Sequence, residues 1–301
     1  MHNNPKRYFE GNNIDEIYLD LIREISTNPE HRVSPRGMAV KETNGVVVRL
    51  TNPRKCLVTL EERKLNYAFT IIEKLEYISG RHNAERIEFY NSNFSHWKND
   101  LGYFDGAYGP RIAYWREHIY KLLKKDPDTR QAVYNIYSAN DRHATKDVPC
   151  TLNHQFFIRD GKLNMIASMR SNDILWGLPY DINAFCFILE FYSAVLGIPM
   201  GTYTHIAGSM HIYEEREEQL TKLLKSPIRY NEIENPILLS YDYNRLLYEM
   251  DILFMLEYLY RGNPIRSIEI INLESSLSSG IAPYWNMLQA HIDKKVKSNG
   301  R

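Results

Sequence analysis

The sequence of 301 residues has no excess of either charge, because 37 lysines and arginines balance 37 aspartates and glutamates. A protein whose main task is to coat nucleic acid binds the phosphate backbone through excess positive charge. We therefore expect no nucleic-acid partner. The balance still permits a small anionic ligand that is held by a few arginines.

Cysteine is scarce, with only Cys56, Cys150 and Cys186 in the chain. Three scattered cysteines are too few for a disulfide framework or a CxxC metal site, and they fit a reducing compartment better. The one close histidine pair on a candidate site strand, His205 and His211, has no evident third ligand for zinc. We therefore predict that the protein uses no metal.

Long apolar runs, internal repeats and low-complexity segments are also missing. No stretch approaches the roughly 18 apolar residues that suggest a membrane span, and the first ten residues have no apolar core typical of a signal peptide. The content of 44% apolar and 25% charged residues is ordinary for a globular domain. These features predict a soluble cytoplasmic protein without a membrane partner.

Helical and strand patterns both occur along the chain. We predict helices over 13–27, 60–79, 111–125, 182–196, 241–261 and 283–296, with a loop-rich stretch over 81–110. Strands are predicted over 46–50, 131–138 and 204–213. Two further strands flank Asp160-Gly161, because a type I′ hairpin turn needs positive φ angles. The pattern indicates an α+β domain with a sheet core and a helical C-terminal addition.

A few polar residues in the middle of the chain are candidates for chemistry. A lone cysteine such as Cys150 is more often a small buried side chain, and a nucleophilic role needs a nearby positive charge. Arg170 could supply that charge, pair with Asp173, or clamp a phosphate with help from the hydroxyl group of Ser171. Asp181 opens a predicted buried helix, where a helix N-cap is an equally simple role.

Seven short segments occur in the order found in thymidylate synthases and related nucleotide hydroxymethylases. They are SPRG at 34–37, EKLEYISG at 73–80, GAYGPRI at 106–112, DPDTRQ at 126–131, VPC at 148–150, RSND at 170–173 followed by GLPYDI at 177–182, and HIAGSMHIY at 205–213. From about residue 32 to 213 the chain therefore resembles the thymidylate synthase family. The resemblance implies a thymidylate synthase-like catalytic core over 1–213, with packed helices, and a helical extension over 214–301 on the same domain.

The same resemblance implies roles for individual residues. Cys150 would attack carbon 6 of a pyrimidine, Glu73 would manage protons and hold water, and Tyr108 would assist proton removal from carbon 5. The residues that bind the nucleotide would be Arg36, Arg130, Arg170, Ser171, Asp181, His211 and Tyr213. Arg130 would come from the second subunit of a homodimer. The cofactor 5,10-methylenetetrahydrofolate would lie near Trp97, Gly177 and Asp173, and Asp173, close to the base, is also a candidate catalytic residue.

Asp181 departs from the synthases, which have asparagine at this position. A carboxylate only accepts hydrogen bonds, so it suits the amino group of cytosine and can stabilise protonated N3. Facing uracil, it would meet the O4 acceptor, and unpaired buried groups cost on the order of 1–3 kcal/mol each. The deoxycytidylate hydroxymethylases resemble this sequence here, and also in having Thr151 rather than histidine. A cytosine nucleotide is therefore the predicted substrate.

Other departures concern the phosphate and the cofactor. Gln131 replaces the second arginine of the pair that is lent across the dimer, Ser209 replaces an aspartate, and Phe94 replaces a cofactor-side tryptophan. The C-terminus, KKVKSNGR, lacks the apolar tail with which the synthases close their site. A site that admits water favours a hydroxymethyl product over a methyl product.

We therefore predict a cytidylate 5-hydroxymethyltransferase that acts on CMP or dCMP, with CMP favoured by resemblance to enzymes of nucleoside-antibiotic pathways. A thymidylate synthase-type methyltransferase acting on dUMP or a cytosine nucleotide is the nearest alternative. A non-catalytic nucleotide-binding or interaction protein on the same scaffold is another. The changed Gln131 and Ser209 permit it, whereas the retained Cys150 and Glu73 argue against it.

Overall fold

A computed structural model describes residues 4–143, 146–227 and 241–299. The strands in these ranges are β1 (Tyr8–Gly11), β2 (His31–Val33), β3 (Val40–Leu50), β4 (Val133–Asn135), β5 (Thr151–Arg159), β6 (Lys162–Met169), β7 (Asn172–Asp173) and β8 (Met200–Tyr213). The helices are α1 (Ile14–Thr27), α2 (Tyr67–Ser79), α3 (Ala84–Tyr90), α4 (Tyr108–Lys125), α5 (Leu178–Leu196), α6 (Glu217–Leu224), α7 (Tyr243–Gly262), α8 (Ile268–Glu274) and α9 (Ala282–Asn299). This mixture of one sheet and packed helices confirms the predicted α+β class.

The strands form one mixed sheet in the order β1-β3-β8-β6-β5-β4, with β2 paired to β3 and β7 paired to β8. Strands β3 and β8 run antiparallel from the pair Val40–Tyr213 to the pair Leu50–Tyr203. The short strand β7 runs parallel to the end of β8, with Asp173 opposite His211. This pairing brings the polar segment that follows β6 to the same end of the sheet as the last residues of β8.

The hairpin of β5 and β6 turns at Asp160 and Gly161, as the sequence predicted. Their φ angles are 51° and 68°, the left-handed values that a two-residue type I′ turn requires. One face of the hairpin buries residues such as Phe156 and Ala167, and the helix α5 packs against β6 and β8. The hairpin therefore fixes the position of the residues at its open end, Thr151 and Met169.

Helix α5 is the central helix of the molecule and is buried along most of its length. It begins at Leu178, four residues before the predicted start, with Pro179 in its first turn, where proline is tolerated. It ends at Leu196, where Gly197 adopts a left-handed φ of 69°, as the sequence predicted for a C-terminal cap. The earlier start places Asp181 inside the first turn of the helix.

Helix α2 is shorter than predicted, because its start is set by local capping. Lys64 has a left-handed φ of 48°, and the side chain of Asn66 accepts a hydrogen bond from the backbone N–H of Phe69. The helix ends as predicted at Gly80, whose φ is 75°. A Cβ atom there would lie 2.3 Å from Cβ of Ala113, so close packing against α4 also requires glycine.

Other predicted boundaries were wrong where tertiary pairing overrides local propensity. Strand β3 begins six residues before the predicted 46, because β2 and β8 supply hydrogen-bonding partners on both sides. The stretch 81–110, predicted to be loop-rich, contains α3, a 3₁₀ turn over Ser92–Trp97 and the start of α4. Strand β4 is only three residues long, whereas a strand was predicted over 131–138.

The C-terminal helices pack on α2 and α3 through a buried ion-pair network. Arg86 contacts Glu76 at 2.5 Å and Glu257 of α7 at 2.9 Å, and all three side chains are at most 6% exposed. The division into a core over 1–213 and an extension over 214–301 stays a prediction. In the three described ranges, no helix has the length and apolar character needed to cross a bilayer.

Candidate active site

A cavity of about 670 Å³ lies where the ends of the sheet meet α2, α4 and α5. This volume is in the range of small-molecule sites. Its wall contains every predicted site residue except Arg130: Arg36, Glu73, Trp97, Tyr108, Cys150, Arg170, Ser171, Asp173, Gly177, Asp181, His211 and Tyr213. Residues that lie far apart in the sequence are thus brought to one cavity.

Arg130 does not line this cavity. Its side chain is exposed in the segment before β4, and its carbonyl oxygen accepts a hydrogen bond of 3.1 Å from Gln155 Nε2. The neighbouring Gln131 is exposed as well. The donation of Arg130 to the site of a second subunit stays a prediction.

Cys150 lies immediately before β5, and a tyrosine hydroxyl group holds its backbone. The hydroxyl oxygen of Tyr108 accepts hydrogen bonds from the backbone N–H groups of Cys150 and Thr151, at 3.2 and 3.1 Å. Burial raises the pKa of the Cys150 thiol, while the positive charges of Arg170 and Arg36 act in the opposite direction. The thiol is therefore protonated in the ligand-free protein at neutral pH and needs to lose that proton before it can attack.

Arg170 holds the loop in front of Cys150. Its Nε and Nη2 atoms donate hydrogen bonds of 2.9 Å each to the carbonyl oxygens of Pro149 and Val148. Among the described residues Arg170 forms no ion pair with Asp173, so the structural pairing considered from the sequence was wrong. The guanidinium therefore places positive charge beside the thiol and the open cavity.

Arg36 lies in a 3₁₀ turn over Pro35–Gly37. Its φ of 54° is left-handed, which is uncommon for a residue with a side chain and marks a position worth explaining. The side chain is exposed and lines the cavity. Arg36 and Arg170 both line the cavity, and their positive charges both act on the Cys150 thiol. Two guanidinium groups in one cavity suit a phosphate.

Asp181 is not the N-cap of α5. The cap position is Gly177, which offers no side-chain bond. The Asp181 carboxylate turns instead towards β7, where Asn172 Nδ2 donates a hydrogen bond of 2.7 Å to its Oδ2 atom. Burial raises the pKa of Asp181 to about 7, against the lowering effect of the Asn172 bond.

Gly177 leaves the room in which Asn172 and Asp181 meet. A Cβ atom at position 177 would lie 3.0 Å from Asn172 Nδ2 and 3.2 Å from Asp181 Oδ2, closer than ordinary van der Waals contact. Asn172 belongs to the RSND segment, but the sequence indicated no role for its amide. Its position next to the carboxylate follows from the β7–β8 pairing, which no local pattern predicts.

Glu73 faces the same cavity from α2. Burial raises the pKa of its carboxyl group to about 8, and the nearby charge of Asp181 adds to the rise. Its Oε1 atom accepts a hydrogen bond of 3.2 Å from the hydroxyl group of Tyr77. The Oε2 atom is buried and has no hydrogen-bond partner in the described part of the chain. The site thus contains two carboxyl groups whose pKa values lie near neutrality, a property common at functional sites.

The polar wall next to Asp181 is formed by β7 and β8. The backbone N–H of Leu175 donates a bond of 2.7 Å to Asp173 Oδ1, and Ser171 Oγ lies 3.5 Å from His211 Nδ1. Burial raises the pKa of Asp173 and lowers that of His211. The ring of Tyr213 packs edge-on against His211, with centroids 5.2 Å apart. This wall offers hydroxyl, imidazole and carboxyl groups to a ligand.

Several aromatic side chains line the cavity. Phe94 packs against Phe69 and Phe104, with ring centroids 5.1 and 5.9 Å apart. Trp97 and Trp176 are 43% and 42% exposed and also line the cavity. Two half-exposed indoles and a phenylalanine cluster fit a flat, partly apolar ring system.

The surroundings of one sequence departure, Ser209, explain it. Ser209 donates a hydrogen bond to Glu42 of the neighbouring strand β3, so a carboxylate from another strand stands beside the position where the synthases have aspartate. Thr151 is fully buried behind the cavity. In the described ranges, no group of three or more histidine, cysteine, aspartate or glutamate residues is arranged to hold a metal ion.

Comparisons with known proteins agree with this geometry. The family model described as thymidylate synthase matches residues 16–240. A deoxyuridylate hydroxymethyltransferase of Bacillus phage SP01 is 32% identical over 224 residues, which cover 68% of this chain and 58% of that protein. A deoxyuridylate hydroxymethyltransferase of Pseudomonas phage M6 is 28% identical over 240 residues, which cover 74% of this chain and 67% of that protein.

The chain thus matches only about three fifths to two thirds of the length of these relatives. Both are hydroxymethyltransferases, but their names give deoxyuridylate rather than the cytidylate that the sequence suggested. The family itself is clear, because its model covers well over half of the chain. As the seven ordered segments predicted, the chain belongs to the thymidylate synthase family.

Proposed function

We propose that the protein transfers a one-carbon unit from 5,10-methylenetetrahydrofolate to carbon 5 of a pyrimidine nucleoside monophosphate and releases a hydroxymethyl product. The observation that carries this proposal is that Cys150, Tyr108 and Glu73 line one cavity together with two arginines and a group of aromatic side chains. The two hydroxymethyltransferases among the relatives support the same reaction class.

In the first step, the sulfur of Cys150 forms a bond to carbon 6, and the electron pair of the 5,6 double bond makes carbon 5 nucleophilic. Covalent catalysis of this kind divides one difficult step into two easier ones. Arg170 supports it, because its guanidinium lies on the loop of Cys150 and favours the thiolate electrostatically. Arg36 and Arg170, with Ser171, are proposed to hold the 5′-phosphate.

When bound, 5,10-methylenetetrahydrofolate supplies the one-carbon unit. The residues present fit such a group, because Phe94, Phe104 and Trp97 give the cavity an aromatic, apolar lining. Asp173 and Gly177 also line the cavity, and they are proposed to contact both ligands. The sugar is proposed to lie against His211 and Tyr213.

Two groups are proposed to move protons after carbon 5 has gained its new substituent. The hydroxyl group of Tyr108 assists transfer of the carbon-5 proton to solvent, since it lies next to Cys150. The electron pair of the broken C–H bond forms the exocyclic double bond, and the bond between the transferred carbon and tetrahydrofolate breaks, with its electron pair leaving on tetrahydrofolate. Water then adds to the exocyclic methylene carbon of the nucleotide. Glu73 in its ionised form accepts a proton from that water, and this form is a minor fraction at neutral pH because the pKa of Glu73 is about 8. The electron pair displaced into the ring restores the 5,6 double bond and releases the Cys150 thiolate.

Cytosine is the base that Asp181 and Asn172 together favour. The ring nitrogen N3 of cytosine is basic and can share the proton of the Asp181 carboxyl group, while the amino group donates to its oxygens. Asn172 also lines the cavity, and its Oδ1 atom is buried without a partner in the described residues. A second amino hydrogen of cytosine would satisfy that oxygen, whereas the O4 atom of uracil would not.

Deoxyuridylate is the second candidate substrate, because both relatives are named for it. The pKa of Asp181 near 7 leaves part of this carboxyl group protonated at neutral pH. A protonated carboxyl group donates as well as accepts, so it can pair with the N3–H and O4 of uracil. The binding of uracil and the binding of cytosine therefore depend differently on the protonation of Asp181.

A product assay tests the reaction class. CMP, dCMP and dUMP are each incubated with the protein and methylenetetrahydrofolate, and the products are read by mass, with Cys150→Ala as the inactive control. We expect the mass of an added CH₂O, most with a cytosine nucleotide, and tetrahydrofolate without dihydrofolate. An added methyl group with dihydrofolate would support the methyltransferase alternative. No release of tritium from carbon-5-labelled nucleotides would contradict the proposal as a whole.

We also propose that the protein is a homodimer, in which Arg130 of each copy reaches the phosphate site of the other. The support is that Arg130 is exposed and stays outside the cavity of its own chain, although it belongs to the DPDTRQ segment. Light scattering gives the molar mass in solution. Mixing an Arg130→Ala variant with a Cys150→Ala variant should restore activity if the sites are shared, and no restoration would contradict the exchange.

A further inference from the structure

We propose that Tyr77 is a positioning residue that holds the Glu73 carboxyl group so that its free oxygen meets the water added to the one-carbon unit. The proposal rests on the proposed hydroxymethyl transfer and adds a residue that neither the family resemblance nor the sequence pattern assigned. Three observations carry it: one hydrogen bond, one unpartnered oxygen and one packed ring.

The hydrogen bond lies within α2. Glu73 and Tyr77 are four residues apart and therefore neighbours on one face of the helix. The Tyr77 hydroxyl group donates to Glu73 Oε1 at 3.2 Å, and both side chains line the cavity. This hydrogen bond holds the Oε1 atom of Glu73 in one position.

The second oxygen is left for a ligand. Glu73 Oε2 is buried without a hydrogen-bond partner in the described ranges, although buried polar atoms are nearly always paired. A buried oxygen without a protein partner can accept a hydrogen bond from a molecule that is bound only during the reaction. A water molecule in the cavity is the simplest such partner.

The ring of Tyr77 is held by its neighbours. It packs against both Tyr108 and Phe185, with centroids 5.2 and 6.4 Å away. Burial raises the pKa of Tyr77 well above its usual value, so the phenol keeps its proton across the working pH range. Tyr77 is therefore a permanent donor in a defined position, which is what a supporting residue must be.

The step that depends on this arrangement is the hydration of the exocyclic methylene. The water oxygen bonds to the methylene carbon, its proton goes to the ionised form of Glu73, the 5,6 double bond re-forms, and the bond from carbon 6 to sulfur breaks. Without Tyr77, the Glu73 carboxyl group can rotate, and the water is no longer presented in one orientation. Hydration should then slow, while the earlier steps at Cys150 continue.

A competition experiment isolates that step. The methylene carbon is an electrophile, so added 2-mercaptoethanol competes with water and gives a thioether instead of the hydroxymethyl product. For Tyr77→Phe we expect the ratio of thioether to hydroxymethyl product to rise about tenfold, with tritium release from carbon 5 and the KM for nucleotide within about twofold of the wild type. Tyr114→Phe, at an exposed position of α4, is the matched control and should leave the ratio unchanged.

The outcomes separate this inference from the proposed function. An unchanged ratio in a folded Tyr77→Phe protein, or an equal loss of tritium release and product, would overturn the positioning role. Absence of tritium release in the wild type would instead overturn the reaction itself. 3-Fluorotyrosine at position 77 gives a second route if Tyr77→Phe does not fold. It keeps the ring and strengthens the donor, so the ratio should fall below the wild-type value, and an unchanged ratio again contradicts the role.

Discussion

Asn172 donates a hydrogen bond of 2.7 Å to Asp181 across the gap between β7 and the first turn of α5. This bond determines what Asp181 can do. A carboxylate that capped its own helix would be unavailable to a ligand. The N-cap of α5 is Gly177 instead, and the Asp181 carboxyl group lines the cavity. The pair therefore supplies the base-reading edge on which the proposed cytosine preference depends.

Replacement of this carboxyl group tests the base preference directly. In Asp181→Asn, the amide can donate to O4 and accept from N3–H of uracil, while the proton shared with cytosine N3 is lost. We expect the ratio of kcat/KM for cytosine over uracil nucleotides to fall about 10- to 100-fold. Asp128→Asn, an exposed aspartate, is the matched control. An unchanged ratio would remove the role of Asp181 in choosing the base.

The pH dependence of the preference follows from the raised pKa of Asp181, about 7. Uracil needs the protonated carboxyl group, so its turnover should fall as the pH rises through 7. The N3 atom of cytosine is basic, whereas N3 of uracil carries a hydrogen. Cytosine can therefore share the proton of Asp181 and retain it to higher pH. Rates with both nucleotides between pH 6 and about pH 8.5 should therefore show a growing preference for cytosine. A constant ratio over this range would contradict the proton-sharing account.

Glu73 should make the folded protein less stable at alkaline pH. Its folded-state pKa, about 8, lies above the ordinary value of 4.5, so the folded protein holds a proton that the unfolded chain has lost between these values. Its contribution to stability is complete below about pH 4.5 and decreases as the pH rises towards 8. The total effect is on the order of a few kcal/mol.

The Glu73→Gln variant removes this titration. Relative to the wild type, it should gain stability at pH 9 compared with pH 5, while hydroxymethyl transfer is lost. Urea denaturation at both pH values measures the free energy of unfolding, and the exposed Glu62→Gln provides the control. The same stability difference at both pH values would show that the Glu73 pKa is not raised in the folded protein.

Gly177→Ala tests the space that Asn172 and Asp181 share. The new Cβ atom would press on both side chains at 3.0–3.2 Å and displace them from the base. Because small displacements of positioned groups reduce rates strongly, we expect kcat/KM to fall about tenfold or more with little change in melting temperature. Gly262→Ala is the matched control, since a Cβ there meets no atom within 4 Å. Equal activity of the two variants would contradict the packing argument.

Much of the fold was predictable from local pattern. The hairpin at Asp160-Gly161, the helix α1 and the ends of α2 and α5 follow from periodicity, turn geometry and glycine caps, which act over a few residues. The ordered segments also predicted the family, and twelve of the thirteen predicted site residues line one cavity. The start of α2 and the helix α3 were missed, because capping by Asn66 and packing against α7 are not visible in hydrophobic spacing.

The sequence by itself determined the α+β class, the family and the kinds of side chain available for chemistry, since these depend on residue type and short-range order. Only the tertiary structure decided how those side chains are oriented. It turned Arg170 to the loop of Cys150 rather than to Asp173, left Arg130 outside the cavity, and joined Tyr77 to Glu73. Such orientations depend on which strands and helices meet in space. Contacts between side chains that are far apart in the sequence leave no periodic signal in the chain.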